Sequence, residues 1–300
     1  MSLASNLTDI YDLKGTLAAN LTTRGVTADQ DDPLADLVDK VLDIVYGAPV
    51  TGMTLWLDAT QLTGLVNNDP VTSWTDMSGN NYHAVQATAD YKPLYKTNVQ
   101  NGLPAIYFDG SNDYLRIASS TATFKFMHSG DNTTFIVCKC GSSSDPNALY
   151  GLIANNKGSG AYDGFRICFD DRASVPLQNN IVHGVTNGSG SVISNGLDYS
   201  AYAATWLVIC VRSNPDETAI ASQRSTYTVN GRIPIQKNTT TTAKSTANAD
   251  YNVDVGALGD ATYPLLGYIG EIIVYNSLLT QEQISKTLLY LYNKWGIASA

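Results

Sequence analysis

The sequence predicts a mainly β protein: a two-sheet antiparallel jelly-roll sandwich with a short N-terminal helical module before it and one C-terminal helix. Three observations predict this. From about residue 53 apolar residues recur with period two, in short runs parted by Asn-Gly, Asp-Gly and Gly-Ser turns, as in half-buried strands. Residues 3–46 carry their apolar residues at helical spacing instead. The last stretch, LTQEQISKTLLYLYNKWG, opens on a capping signature and then keeps one apolar face.

Taking the elements in order, Leu3, Leu7, Ile10, Leu17 and Leu21 fall at heptad-like spacing, with Lys14 at the one polar step. Gly25 fits a stop, and Asp32-Pro33 a restart with Pro at the first helical position. Leu34, Val38, Val41 and Val45 continue the stripe. Helices this short are marginal alone in water, so their stripes call for a partner. We assign residues 1–46 to an anchoring or oligomerising module, 47–52 to a linker and 53–300 to the sandwich. Candidate strands are MTLWLDA, AIYFDG, DYLRIA, TTFIVCKC, LYGLIANN, DGFRICFD, TWLVICVRS, STYTVNG, RIPIQ and GEIIVYNS. Asn230-Gly231 between two of them is a strong hairpin signal. Thr280 caps the closing helix with Gln283 at its third position, and Ile284, Leu288, Leu291 and Trp295 line one face.

Bulk composition bounds the function. The 300 residues are 44% hydrophobic, enough for a sizeable core. Charged residues make up 15%, against about 25% in ordinary globular proteins; Asn, Thr, Ser, Gly and Tyr fill the gap, as on polar surfaces displayed outside cells. The formal charge of −9 argues against nucleic acid, whose binding needs clustered Lys and Arg. Residues 1–46 hold Asp9, Asp12, Asp29, Asp31, Asp32, Asp36, Asp39 and Asp43 against Lys14, Arg24 and Lys40, a further mark of a separate module. MSLASNLTDIYD lacks the basic start and apolar run of a secretion signal, and no later run is apolar enough for membrane insertion. Cys138, Cys140, Cys168 and Cys210 sit in strand patterns and read as buried free thiols rather than disulfides or a zinc site. Reduced thiols with an extracellular-looking surface suit a virion protein, assembled inside a host and released by lysis.

Three segments together resemble the concanavalin A-like lectin/glucanase superfamily in its laminin-G-like branch. They are WLDA…VTSWTDMSGNNYHAVQ, LPAIYFDGSNDYLRI and GYIGEIIVYNSLLTQEQISKTLLYLYNKWG, in the family's order across residues 53–297. The resemblance implies the fold; one fold of this kind hosts lectins, hydrolases and plain spacers. The N-terminal segment looks like short helical segments that begin tailed-phage structural proteins.

Glycoside hydrolysis needs two carboxyls flanking the scissile bond, which the superfamily's glucanase branch supplies as Glu-x-Asp-x-Glu on one strand. Here the glutamates are Glu217, Glu271 and Glu282, far apart and without an aspartate two residues on. His83, His128 and His183 accompany no G-x-S-x-G elbow. We therefore expect no enzyme. Residues 56–86, for all their Trp, Asp and His, read mostly as scaffold, with Val71, Trp74 and Met77 spaced for packing around a turn.

Two sets of residues are candidate ligand contacts. Asp76, Ser78 and Asn80 place oxygens at i, i+2 and i+4, compatible with calcium and equally with an Asx-turn capping local N–H groups; no other cofactor is called for. Asp109 and Asp113 read as turn residues in the same way. Tyr150, Tyr162, Tyr199 and Tyr202, with Tyr251 and Tyr263, lie in or beside Gly/Asn/Ser-rich loops, where rings could stack on sugar faces; tyrosine also suits half-buried strands. The expected function is that of a non-enzymatic phage-type virion protein, as head fibre, capsid decoration or tail adhesin. It would be homo-oligomeric, joined to other virion proteins through residues 1–46, and display a domain that binds surface glycans. A purely structural capsid-stabilising decoration protein is the alternative, and a polysaccharide-degrading enzyme the less favoured one.

Overall fold

The computed structural model describes residues 3–23, 28–37, 49–140, 149–157, 162–172, 180–198, 204–217, 223–231 and 242–299. The chain divides into two compact units, 1–49 and 50–300. In the first, a helix spans Leu3–Thr23. Its Ala18 and Leu21 are buried with Leu37, against Leu17 and Ala28, whereas Leu7, Ile10 and Leu13 are exposed. Residues 34–37 are helical, as the Asp32-Pro33 restart predicts, and the rest of that expected helix lies outside the described residues.

The second unit is the predicted sandwich. Its strands are β1 (Leu55–Asp58), β2 (Ser73–Trp74), β3 (Ala84–Val85), β4 (Leu94–Gln100), β5 (Leu103–Asp109), β6 (Leu115–Ile117), β7 (Asn132–Cys140), β8 (Leu149–Ala154), β9 (Asp163–Asp170), β10 (Asn180–Asn187), β11 (Ser191–Asp198), β12 (Leu207–Ser213), β13 (Ser225–Val229), β14 (Val253–Val255) and β15 (Leu266–Tyr275). One sheet runs β13-β12-β7-β15-β5-β4 with β1 also on β15, and the other β11-β10-β9-β8-β14-β6-β3-β2. Every pairing in them is antiparallel. Alternation sends one side of each strand into the space between the sheets: Leu55, Leu57, Ile106, Phe108, Ile136, Ile209 and Ile272 from one sheet meet Leu115, Ile117, Ile153, Phe165, Ile167, Ile181 and Val255 from the other.

The closing helix, Gln281–Trp295, starts as predicted: Thr280 accepts from the Gln283 N–H and the Gln283 side chain accepts from the Thr280 N–H. It stops at Gly296 in the left-handed region (φ 59°). Ile284, Leu288, Leu291 and Trp295 bury with Phe135, Val137, Cys210, Ile273 and Tyr275 on the outer face of the β15-containing sheet. Each such side chain, fully buried, contributes about 1.5–3 kcal/mol. Trp295 needs Gly270 beneath it. A Cβ there would lie 2.4 Å from the indole, and the register of β15 against β7 shifts at that same glycine.

Nine of the ten expected strands are present; the tenth, RIPIQ, lies outside the described residues. Asn230 (φ 45°) and Gly231 (φ 81°) both adopt the left-handed region expected of their turn. Strands β2, β3, β4, β10, β11 and β14 are additional. Three of these are only two or three residues long, and β10 and β11 (NIVHGVTN, SVISNGLD) dilute their alternation with Asn, Ser and Gly.

Candidate functional site

Cross-strand register sets out one row on the outer face of the eight-stranded sheet: Ser73, Val85, Arg116, Asp254, Ala154, Arg166 and Gly184. Arg116 points outward because its neighbours Leu115 and Ile117 point into the core, and Arg166 because Phe165 and Ile167 do. Arg116 holds Asp254 through two bonds, Nε–Oδ1 at 2.7 Å and Nη2–Oδ2 at 2.8 Å. Arg166 lies flat across Gly184, where a Cβ would stand 2.8 Å from its guanidinium carbon.

A loop, residues 256–265, folds back over this row along β8. Gly256 N–H donates to Leu152 O, Gly259 N–H to Asn156 O and Gly151 N–H to Tyr263 O. The approach is close: a Cβ on Gly151 would meet Ala257 at 2.1 Å and one on Gly259 would meet Asn156 at 2.7 Å. Beneath the loop, Leu258 buries with Leu149, Ala154, Cys168 and Val182. Three non-glycine residues of the loop, Asp260, Ala261 and Tyr263, sit at φ 60°, 56° and 52°. Each such left-handed residue costs about 1–3 kcal/mol where the surroundings impose it, and such strain gathers at ligand clamps. Part of what holds it is visible: Ala261 N–H donates to Asp254 Oδ2 at 2.8 Å.

Two tyrosine pairs flank the loop, each with a cation. Lys157 bonds Asp260 at 2.8 Å and stands 4.7 Å from the Tyr251 ring centroid and 6.0 Å from that of Tyr162. Hydrogen bonds to Asp260 first and Tyr251 second hold the ammonium above its usual range, so it remains charged. Tyr162 and Tyr251 meet edge to face at 5.4 Å. On the other flank Arg116 lies 5.1 Å from the Tyr114 ring, which packs 6.1 Å from Tyr91. Tyr91 and Tyr263 are 40% and 42% exposed, leaving ring surface for a ligand. The patch offers apolar ring faces beside fixed donors and acceptors, the chemistry of a polyol surface.

The sequence-predicted residues divide. Tyr162 joins this patch, together with Tyr251 and Tyr263. Tyr150 does not: at 8% exposure it packs in the inter-sheet core, because a bulge between Gly151 and Ile153 brings it inward. Tyr199 and Tyr202 lie outside the described residues. Asp76, Ser78 and Asn80 do meet, but as a hydrogen-bonded knot. Asp76 Oδ1 accepts from the N–H groups of Trp56 and Ser78, and Oδ2 from the Ser78 hydroxyl and Tyr82 N–H, all at 2.8–2.9 Å. Four donors use the lone pairs a calcium ion would need. Asn80 turns its Nδ2 to Met53 O, Thr54 O and Ser78 Oγ, so the trio forms a turn that ties its loop to β1. Asp109 and Asp113 likewise cap their turn, accepting from the N–H groups of Ser111 and Asp109. Sequence reading missed Lys157, Asp260, Tyr91 and the Tyr114–Arg116 pair. The compact GDATYP run was the available signal for the loop.

The remainder of the 56–86 stretch is scaffold. Trp74 is fully buried, while Met77, expected to pack, is 40% exposed. Trp56 reaches into a second charged cluster under the closing helix. Glu271 Oε1 accepts from Trp56 Nε1 (2.8 Å) and Tyr290 OH (3.0 Å), and Oε2 from Lys294 (2.8 Å) and Trp295 Nε1 (2.9 Å). Lys294 also bonds Asp58 at 2.6 Å. Asp58 and Glu271 face each other across β1 and β15, yet both are 1% exposed. The pair is bridged by a lysine and buried, an arrangement that ties helix to sheet. The four cysteines are free and buried; burial pushes the Cys140, Cys168 and Cys210 thiols up to about 12, which leaves them poor nucleophiles.

No protein-family model and no curated protein matches the chain. Solved structures match its fold. The ligand binding domain of botulinum neurotoxin serotype D, solved in complex with N-acetylneuraminic acid, is 15% identical at a TM-score of 0.51, over 80% of this chain and 50% of that one. The receptor binding domain of the botulinum neurotoxin C/D mosaic serotype is 13% identical at 0.50, over 80% and 51%. The CBM40 of Ruminococcus gnavus IT-sialidase bound to α2,3-sialyllactose is 15% identical at 0.44, over 65% and 97%.

Proposed function

We propose that the 50–300 unit is a non-catalytic glycan-binding module. Its binding surface is the strained loop 256–265 with the tyrosines and cations beside it. The observation that carries this reading is the loop itself: three left-handed non-glycine residues held over a sheet face, between Lys157–Tyr251–Tyr162 and Arg116–Tyr114–Tyr91. The shared fold with a neurotoxin domain solved in complex with N-acetylneuraminic acid supports the ligand class. The wider setting we infer is a phage-type virion, as head fibre, capsid decoration or tail adhesin, with the acidic helical segment as the attachment. The low-charge polar composition and the separate N-terminal unit support it. An exposed patch of this kind binds a sugar weakly at a single site, which many displayed copies raise to useful avidity.

The test is a glycan array of neutral and sialylated oligosaccharides, probed with the full chain and with Tyr263→Ala and Lys157→Met. Binding that falls about tenfold in each variant, roughly 1.4 kcal/mol, supports the assignment. Glycan binding untouched by either substitution moves the site elsewhere. An array without signal leaves the structural-decoration role in its place.

A further inference from the structure

We propose a second binding site, for a hydroxylated carboxylate, on the opposite outer face of the sandwich around Arg212. This residue follows Val211 on β12, and because Val211 and Ile209 point into the core, Arg212 points out. Its cross-strand neighbours are Thr226 on β13 and Thr133 on β7. Beside it lies a cavity of about 370 Å³ lined, among the described residues, by Arg212, Asn214, Gln223, Thr226 and Leu278.

The state of the arginine points to a ligand. Its Nε is buried with no acceptor, although buried donors are nearly always paired. Three other arginines of the domain are held by partners of their own. Arg116 and Arg172 each hold an aspartate by two bonds, and Arg224 donates to the carbonyls of Glu217, Val192 and Thr242. Arg212 has no carboxylate partner among the described residues. Thr133, the hydroxyl on its other side, is committed to Ser277 O and Leu279 N–H. The side chains of Asn214, Gln223 and Thr226 form no hydrogen bond to another described residue, so they remain available in the cavity. A guanidinium presents a planar fork that matches a carboxylate through two parallel bonds. Three uncommitted amide and hydroxyl groups around it match the hydroxyls of the same molecule, and Leu278 offers one apolar wall. A cationic pocket of this kind in a chain of net charge −9 selects for an anion at one point on an otherwise repelling molecule.

The chemistry is shared by a free hydroxy acid and by an acidic sugar residue within a chain, so the probes separate them. Glucuronate, a glucuronate-containing tetrasaccharide, glucose and inorganic sulfate are titrated into the full-length protein by saturation-transfer NMR and calorimetry, with Arg212→Met and Gln223→Ala alongside. Gln223 is exposed, so its replacement keeps the fold should Arg212→Met unfold. Saturable glucuronate binding that is absent for glucose, weakened at least tenfold in Arg212→Met and several-fold in Gln223→Ala, is the expected result. Tighter binding of the tetrasaccharide assigns the site to a polymer, and equal binding to a free acid or chain end. Sulfate bound as tightly as glucuronate overturns the hydroxyl-recognition part. Glucuronate binding unchanged in both variants, or none at all, overturns the site. Tyr263→Ala leaves this binding unaltered, which separates it from the tyrosine-lined surface.

Discussion

Asp113 lies at the base of the FDGSND turn, 5% exposed, where its carboxylate accepts the Asp109 N–H at 3.0 Å. Burial, opposed by that bond, pushes its carboxyl from 3.8 up to about 6. The folded state thus holds the proton longer than the unfolded chain, and the unfolding free energy falls as pH climbs from about 4 to about 6. Asp113→Asn keeps an acceptor for the Asp109 N–H and removes the ionisation. We expect it to match the wild type below pH 4 and to exceed it above pH 6 by about 1–3 kcal/mol, read by urea unfolding across that range. His183 acts in the opposite sense. Burial first, and Arg166 second, hold its imidazole down to about 3, with Nδ1 2.8 Å from Ser225 Oγ. Its contribution is present above pH 6.5 and is lost as pH falls toward 3. His183→Asn therefore flattens the acid limb of the stability profile, at the cost of a constant offset from poorer packing. Residue roles of this kind were only partly legible. Asp109, Asp113 and Asp76 sit next to Gly, Ser and Asn and announce themselves as turn formers. Tyr150 and Tyr263 look alike in sequence, and only a bulge in one strand and a strained loop in the other part them into core and surface.

The closing helix is fastened by charge as well as by apolar packing. Asp58 and Glu271 share Lys294 under it, and desolvation first, with Asp58 second, raises the Glu271 carboxyl against the pull of Lys294. Lys294→Met leaves two buried carboxylates facing each other without a cation, and stranding a buried charge costs about 3–5 kcal/mol. Protonating one carboxylate relieves that loss, so the deficit measured by denaturant unfolding is larger at pH 8 than at pH 5. A deficit independent of pH would assign the cost to lost packing of the lysine stem instead. Gly270→Ala tests the same helix from beneath. Its Cβ displaces Trp295, which costs about 1–3 kcal/mol as other overpacked sites do and alters the tryptophan emission, since Trp295 stacks on Trp206 at 5.8 Å. At this scale the sequence was most readable where a pattern is local. Thr280 and Gln283 spell out the cap, and TTFIVCKC carries a continuous apolar run short enough to read as a central strand covered on both faces. Strand β10 escapes because Asn, His and Gly interrupt its alternation, and β14 because three residues hold no period. Their burial is set by long-range pairing with β9, β11, β6 and β8, which no local window contains.

For the whole molecule the two units differ in how much they bury. The 50–300 unit contains both sheets, the inter-sheet core and the cluster under the closing helix, enough to fold by itself. The 1–49 unit gathers Ala18, Leu21 and Leu37 around a small core, while Leu7, Ile10 and Leu13 stand 50–68% exposed on its long helix. An amphipathic helix with that much apolar surface in water gains stability by covering it; Leu7 and Ile10 are the described part of the heptad-like stripe left open to a second copy, since Leu17 and Leu21 already pack with Leu37. The prediction is that light scattering finds an oligomer for the full chain and a monomer for a chain beginning at Val50, with equal thermal stability of the sandwich in both. If the proposed patch binds glycans, retention on a densely glycosylated surface then falls by about a hundredfold on truncation, since the loss is one of effective concentration and not of any contact at that patch. Leu7→Asp with Ile10→Asp in the full chain reproduces both effects without shortening it. Monomers in every case would mean that the helix meets a different protein, and the exposed stripe would then be recovered as a docking face by the same two substitutions.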